Sequence, residues 1–148
     1  NHFMQIGWQM FSIDIKDIHL DGGESSTACC PIALSFVEKF LGTHPTTYSV
    51  WKKNGIPLMR GDVISVKTEH TRFWHPEKNK MYEFLHDQRT QDFIIEFDAW
   101  LENGCSEMDR PDETSITFKK PWHVSKTDKT LVEYFHSYNI PDEAEVNT

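Results

Sequence analysis

The sequence predicts an α+β fold in a single domain: a mostly antiparallel sheet of about five strands, two packed helices and a C-terminal appended helix. Three observations carry this expectation. A helix with both ends marked and almost no polar face lies early in the chain. Short segments of period-two apolar alternation recur between turn signals. Two later stretches place apolar residues at helical spacing. The 148 residues suit one domain able to bury a sizeable core. A hydrophobic content of 38% with ten Phe and five Trp is globular composition, not that of a disordered chain.

The helix around which this reading is organised runs from Pro31 to Gly42. Cys30 stands at its N-cap, Pro31 takes the first helical position with φ already set, and Gly42 supplies the stop. Ile32, Ala33, Leu34, Phe36, Val37, Phe40 and Leu41 leave only Ser35, Glu38 and Lys39 to face water. A surface helix has a wider polar arc, so this one is expected at the centre of the fold.

Before it, Phe11, Ile13 and Ile15 alternate with Ser12, Asp14 and Lys16, which predicts a half-buried strand within residues 8–15, with Trp8 and Met10 as its candidate extension. Lys16 to Leu20 reads as a helical turn broken by Asp21-Gly22-Gly23. After the helix, residues 46–51 are β-branched and aromatic, and Asn54-Gly55 tolerates the positive φ values of a tight hairpin turn. Residues 56–59 form the return strand, Arg60-Gly61-Asp62 turns the chain, and residues 63–68 make another strand. Residues 70–80, rich in His and aromatics around Pro76, read as a loop. A second helix is expected from Gln88 to Asn103, with Asp87 as N-cap and Gly104 as stop; Phe93, Ile94, Phe97, Trp100 and Leu101 fall on one arc. Residues 105–113 are polar linker, 115–119 a final strand and 121–125 a loop. A third helix from Thr127 to Asn139 carries Leu131, Tyr134, Phe135 and Tyr138 at i, i+3, i+4 and i+7, and is expected to close a sheet edge or to meet another subunit in a homodimer. Residues 140–148 read as a flexible acidic tail. Asn1 to Phe3 are left outside the reading.

Composition also bounds function. Two of the three cysteines are adjacent, a geometry that strains a disulfide, so reduced thiols and a cytoplasmic setting are expected. No apolar run approaches the roughly 18 residues of a membrane span, and the first residues lack the features of a signal peptide. The net charge of −8 is unevenly distributed. Residues 1–74 carry seven acids and seven bases, whereas residues 75–148 carry sixteen acids and eight bases. Ten of those acids lie between Glu83 and Glu113, against Arg89 and Arg110. Such a field repels nucleic-acid phosphates and attracts basic surfaces.

Three segments in this order carry a resemblance. Cys30-Pro31-Ile32-Ala33-Leu34 opens the first helix, Phe93-Ile94-x-x-Phe97-Asp98 lies in the second, and Ile116 to Phe118 forms a short Phe-containing strand. With Ile18-His19-Leu20-x-Gly22 ahead of them, these segments resemble a group of small uncharacterised bacteriophage-encoded proteins, over roughly residues 13–118. Ser35, where a small apolar residue is more usual, and the added third helix and tail depart from that pattern. The resemblance implies a phage protein acting in the host cytoplasm and implies no activity.

Four groups of residues could carry chemistry. Cys30, at a helix N-terminus, could be a thiolate nucleophile and so the centre of a thiol-dependent enzyme, or it could be a buried, inert capping residue. Thr27-x-x-Cys30-Pro31 is similar to a peroxiredoxin loop, but Gly23 stands where that motif has a proline, and no matching order of strands and helices accompanies it. His70 and His75 flank Thr71-Arg72-Phe73-Trp74 and could bind a small ligand. Their spacing is not that of a metal site, and His19 with Cys29 and Cys30 could converge on zinc only through the fold, so neither metal nor cofactor is expected. Ser125 and His123 give half of a phosphodiesterase-like pair with no second half in register. The fourth and favoured candidate is the second helix. Asp92, Glu96, Asp98 and Glu102 are placed opposite its apolar arc as like-charge i, i+4 pairs, with Ile95 among them. An apolar residue ringed by carboxylates resembles a binding anchor in a charged rim, although a solvated face also tolerates one. The expected function is that of a non-enzymatic binder or inhibitor of a host protein with a basic surface.

Overall fold

The computed structural model describes residues 9–127. Every strand pairing within it is antiparallel, and helices are interspersed with runs of strands along the chain in an α+β architecture. Strand β1 (Phe11–Ile15) is followed by the short helix α1 (Asp17–Gly22) and the central helix α2 (Pro31–Leu41). A hairpin of β2 (Ser49–Lys53) and β3 (Ile56–Met59) leads through a single helical turn, α3 (Arg60–Val63), into β4 (Ile64–Val66), β5 (His70–His75) and β6 (Lys80–Leu85). Helix α4 (Gln88–Glu102), a 3-10 turn (Glu107–Asp109), β7 (Thr114–Phe118) and β8 (His123–Lys126) complete the described chain.

The strands form three sheets where the sequence suggested one: β1 with β7, β2 with β3, and a four-stranded sheet in the order β4-β5-β6-β8. The expected loop at 70–80 is in fact the β5–β6 hairpin, the middle of the largest sheet, with Pro76 to Asn79 as its turn. The alternation that marks a strand is broken here because Phe73 and Trp74 are both fully buried, although successive strand residues face opposite ways. Segment 121–125 likewise contributes to a strand, β8. Its side chains are largely exposed, so pairing with β6 comes from the backbone and leaves no hydrophobic pattern to read. Trp8, most of the third helix and the tail lie outside the described residues.

Helix α2 has the ends its sequence demands. Cys30 is the extended N-cap, Pro31 begins the helix, and Gly42 adopts φ 68° while its N–H closes on Glu38 O at 3.0 Å. Ser35, expected in water, is buried and donates to Asp14 O at 2.8 Å, which ties the helix to the end of β1. Gly23 lets α1 and α2 approach closely, because a Cβ there would stand 2.8 Å from His19 O and 2.9 Å from the Pro31 ring.

Phe36 is the side chain on which the layers converge. It is fully buried, with ring centroids 5.9 Å from Phe11, 4.8 Å from Phe40, 5.1 Å from Phe73, 5.5 Å from Phe84 and 5.5 Å from Phe118. Those partners belong to β1, α2, β5, β6 and β7, so a single ring touches both the two-stranded and the four-stranded sheet. The β2–β3 hairpin, turned by Asn54 and Gly55 at positive φ, adds Val50 and Leu58 to the same core and is tied on by Lys53, whose Nζ donates to Pro76 O at 2.6 Å and to Asn79 Oδ1 at 2.9 Å and lies 5.7 Å from the centroid of the Trp74 ring.

Removing the Phe36 ring leaves a cavity shared by five elements. Phe36→Ala is expected to cost about 3–5 kcal/mol in urea-induced unfolding. An unchanged midpoint would show that the helix is not the centre of the core.

Candidate functional site

Helix α4 starts where Asp87 accepts the Thr90 N–H at 2.8 Å, a bond that also holds the Asp87 carboxyl below its usual range. Thr90, Phe93, Phe97 and Trp100 face the interior, and Trp100 Nε1 donates to Ser106 O at 2.7 Å. On the other side Asp92, Ile95, Glu96 and Glu102 are exposed, Ile95 by 57%. Asp98 does not join them. At 100° per residue it lies on the helix flank, half-buried and hydrogen-bonded to Ser25. Burial raises its carboxyl above the usual range, and neighbouring Glu102 adds to the shift. The expected single acidic face is therefore divided. Asp98 lines a cleft of about 290 Å³ with Ser25, Thr27, Cys30, Val66 and Ile94. Asp92 and Glu96 border a cleft of about 410 Å³ on the opposite flank, with Arg89, Asp112 and Glu113. Ile95 occupies the crest between them.

Cys30 borders the Asp98 cleft but is buried. Desolvation pushes its thiol up to about 11, outweighing the Ile32 and Ala33 amides, which favour the thiolate. The helix N-terminus thus fails to activate this sulfur, because burial penalises the same charge that the dipole would stabilise.

The histidines are occupied in ways that sequence spacing could not reveal. His19 is buried in α1. Its Nδ1 accepts the Lys16 N–H at 2.8 Å, so Nε2 carries the proton and donates to Glu38 Oε1 at 2.7 Å. Both nitrogens are used within the fold, and His19, Cys29 and Cys30 do not converge. Among the described residues no group of three or more His, Cys, Asp or Glu side chains is placed to hold a metal ion. His70 and His75 lie at opposite ends of β5, five residues apart and so on opposite faces. The His75 ring packs against Phe73 and Trp51, and its Nδ1 accepts the Glu77 N–H at 3.2 Å. With Trp74 buried between them, these residues do not form one ligand pocket. His123 and Ser125 fall on the β8 edge strand, where they pair with Glu83 and Met81.

Three polar groups escape any sequence pattern because their partners are distant in the chain. His86 is buried. Its Nδ1 donates to Thr68 O at 2.9 Å, leaving Nε2 to accept the hydroxyl of the fully buried Thr71 at 2.6 Å. Arg110 reaches Asp17 at 2.9 Å and Asp21 at 2.7 Å, fastening the linker to α1. Arg60, in α3, is a buried cation whose Nη2 donates to the Pro45 and Thr47 carbonyls, each at 3.0 Å.

No described helix is long and apolar enough to cross a membrane. Compared with protein-family models, with curated proteins and with solved structures, the chain gives no match.

Burial lowers the pKa of His86, and of His70 and His75, below the ordinary imidazole value of about 6.5. The unfolded chain therefore binds more protons in that window, and stability rises with pH. This contribution is complete above about pH 6.5 and is lost as pH falls through the folded pKa values. Urea midpoints between about pH 7.5 and pH 5 should decline for wild type. They should decline less for His86→Asn, whose amide keeps a donor and an acceptor without titrating; an identical slope would remove His86 as a source.

Proposed function

We propose that the protein acts by binding another protein, through the exposed crest of α4. The observation that carries this reading is Ile95: a large aliphatic side chain, 57% exposed, on a helix whose other large apolar residues face inward or lie half-buried. Burial of such a side chain in a partner's pocket contributes apolar transfer energy, and the surrounding carboxylates exclude partners of like charge. Asp92, Glu96 and Glu102 supply that rim. Met108, 93% exposed on the 3-10 turn between Glu107 and Asp109, adds a second apolar side chain in an acidic setting. The complementary partner is a protein surface with an apolar pocket bordered by Lys and Arg. In the phage setting that the sequence resemblance implies, that surface belongs to a host protein, and occupying it makes this chain an inhibitor or accessory factor. Nothing in the geometry favours the thiol-enzyme alternative at Cys30, whose sulfur is buried and held neutral.

The test separates anchor from rim. Ile95→Asp should change stability by no more than about 0.5 kcal/mol and weaken binding by about 30-fold or more. Glu96→Lys with Glu102→Lys should instead reduce the association rate at low salt and flatten its salt dependence. The assay is affinity capture from host lysate with quantitative mass spectrometry, followed by binding kinetics on the protein retained. A captured protein counts only if Ile95→Asp loses it while remaining folded. Unfolding of Ile95→Asp by several kcal/mol would make Ile95 a core residue and end the reading.

A further inference from the structure

Arg60 is buried, with 7% of its surface exposed, and its Nη1 has no hydrogen-bond partner. A buried, unsatisfied donor on a cation is costly, and the two neutral carbonyls on Nη2 leave Nη1 uncompensated. The Cys29 side chain lies beside the guanidinium, and both residues line a cleft of about 320 Å³ with Tyr48, Thr46 and Glu24 at its walls. A dissolved anion would find the Glu24 carboxylate in the cleft wall and Nη1 shut off from solvent. Cys29, half-buried, lies beside the guanidinium while remaining open to the cleft.

We propose that Cys29 is an oxidation site for hydroperoxides, and that the oxygen added to its sulfur becomes the acceptor that Arg60 Nη1 lacks. The Cys29 sulfur attacks one peroxide oxygen; an S–O bond forms and the O–O bond breaks. The sulfur loses two electrons and the peroxide gains them. With hydrogen peroxide, the departing oxygen takes the displaced proton and leaves as water, and the thiol has become a sulfenic acid. Arg60 then stabilises the product oxygen by a charge-assisted hydrogen bond. Condensation to a disulfide is disfavoured, because the neighbouring thiol is the buried Cys30 and a bridge between adjacent cysteines is strained. The loop that presents Cys29 is held by its own bonds, Cys29 N–H to Ser26 Oγ at 3.0 Å and Glu24 N–H to Cys29 O at 2.9 Å. These bonds fix the backbone from which the sulfur extends.

Cys105 provides the internal reference, since it is exposed and accessibility alone would make it react first. The full chain is treated with hydrogen peroxide in the presence of dimedone, and adducts at the three cysteines are quantified by peptide mass spectrometry. The expected result is a Cys29 adduct exceeding that at Cys105, with none at Cys30. In Arg60→Met the Cys29 yield should fall by about tenfold, the worth of one hydrogen bond to a charged group. A second measurement does not depend on that variant folding. In a Cys105→Ser background, the peroxide-treated protein should melt higher than the reduced protein, because Nη1 gains a partner. Faster labelling of Cys105 than of Cys29, a Cys29–Cys30 disulfide as the main product, or a lower melting temperature after oxidation would each overturn the proposal.

Discussion

The packing of Phe36 is the constraint on which the rest of the structure depends. Neither β1–β7 nor the four-stranded sheet could be stable alone, since a two-stranded ribbon is marginal in water and the larger sheet needs a partner for its apolar face. Helix α2 supplies that partner to both. Its ring at position 36 sits between Phe11 and Phe118 on one side and Phe73 and Phe84 on the other, with edge-on and tilted contacts of the kind aromatic quadrupoles favour. A helix serving two sheets must be apolar over most of its circumference. This explains its narrow polar arc, and explains why even Ser35 is drawn inside and must find a carbonyl.

Once the apolar surfaces are engaged in this way, the polar side chains that remain inside have to be satisfied from distant parts of the chain. His19 spends both nitrogens on Lys16 and Glu38, His86 spends both on Thr68 and Thr71, and Lys53 spans to the β5–β6 turn. These groups look like candidate chemistry in a sequence and serve as internal fasteners in the fold. Arg60 is the exception, a buried cation with one nitrogen unsatisfied, and it stands beside a thiol. Cys29 and Cys30, neighbours in sequence, thus have opposite surroundings. One sulfur is sealed in the core at the start of α2, and the other faces a cleft and a guanidinium.

Helix α4 follows the same logic from the outside. Its inward side is fixed by Phe93, Phe97 and Trp100, and the remaining positions are distributed by helical geometry alone. Asp98, at the boundary, is drawn towards the Ser25 loop and becomes part of a cleft wall. Asp92, Glu96 and Glu102 stay in water around Ile95. Exposed like charges at i, i+4 contribute nothing to helix stability and cost a few tenths of a kcal/mol, about 0.2–0.5 per pair. Their arrangement therefore does not serve to hold the fold.

Much of the local structure was legible in the sequence. The cap, proline and stop of α2, the Asn54-Gly55 turn, the alternation of β1, and the Asp87 cap and apolar arc of α4 all depend on residues within a few positions of each other. Short-range chemistry determines them, and it is written in adjacent letters. The exposure of Ile95 follows from the same periodicity. What the tertiary structure alone decided depends on residues far apart. The β5–β6 hairpin looked like a loop because Trp74 is buried on the face where alternation calls for a polar residue. The Asp98–Ser25 contact, the Thr71–His86 bond and the Arg110 fastening to α1 join residues 15 to 93 positions apart. The fate of Cys30 turned on a competition between the helix dipole, visible in its N-cap position, and desolvation, which exists only once the core has closed around it.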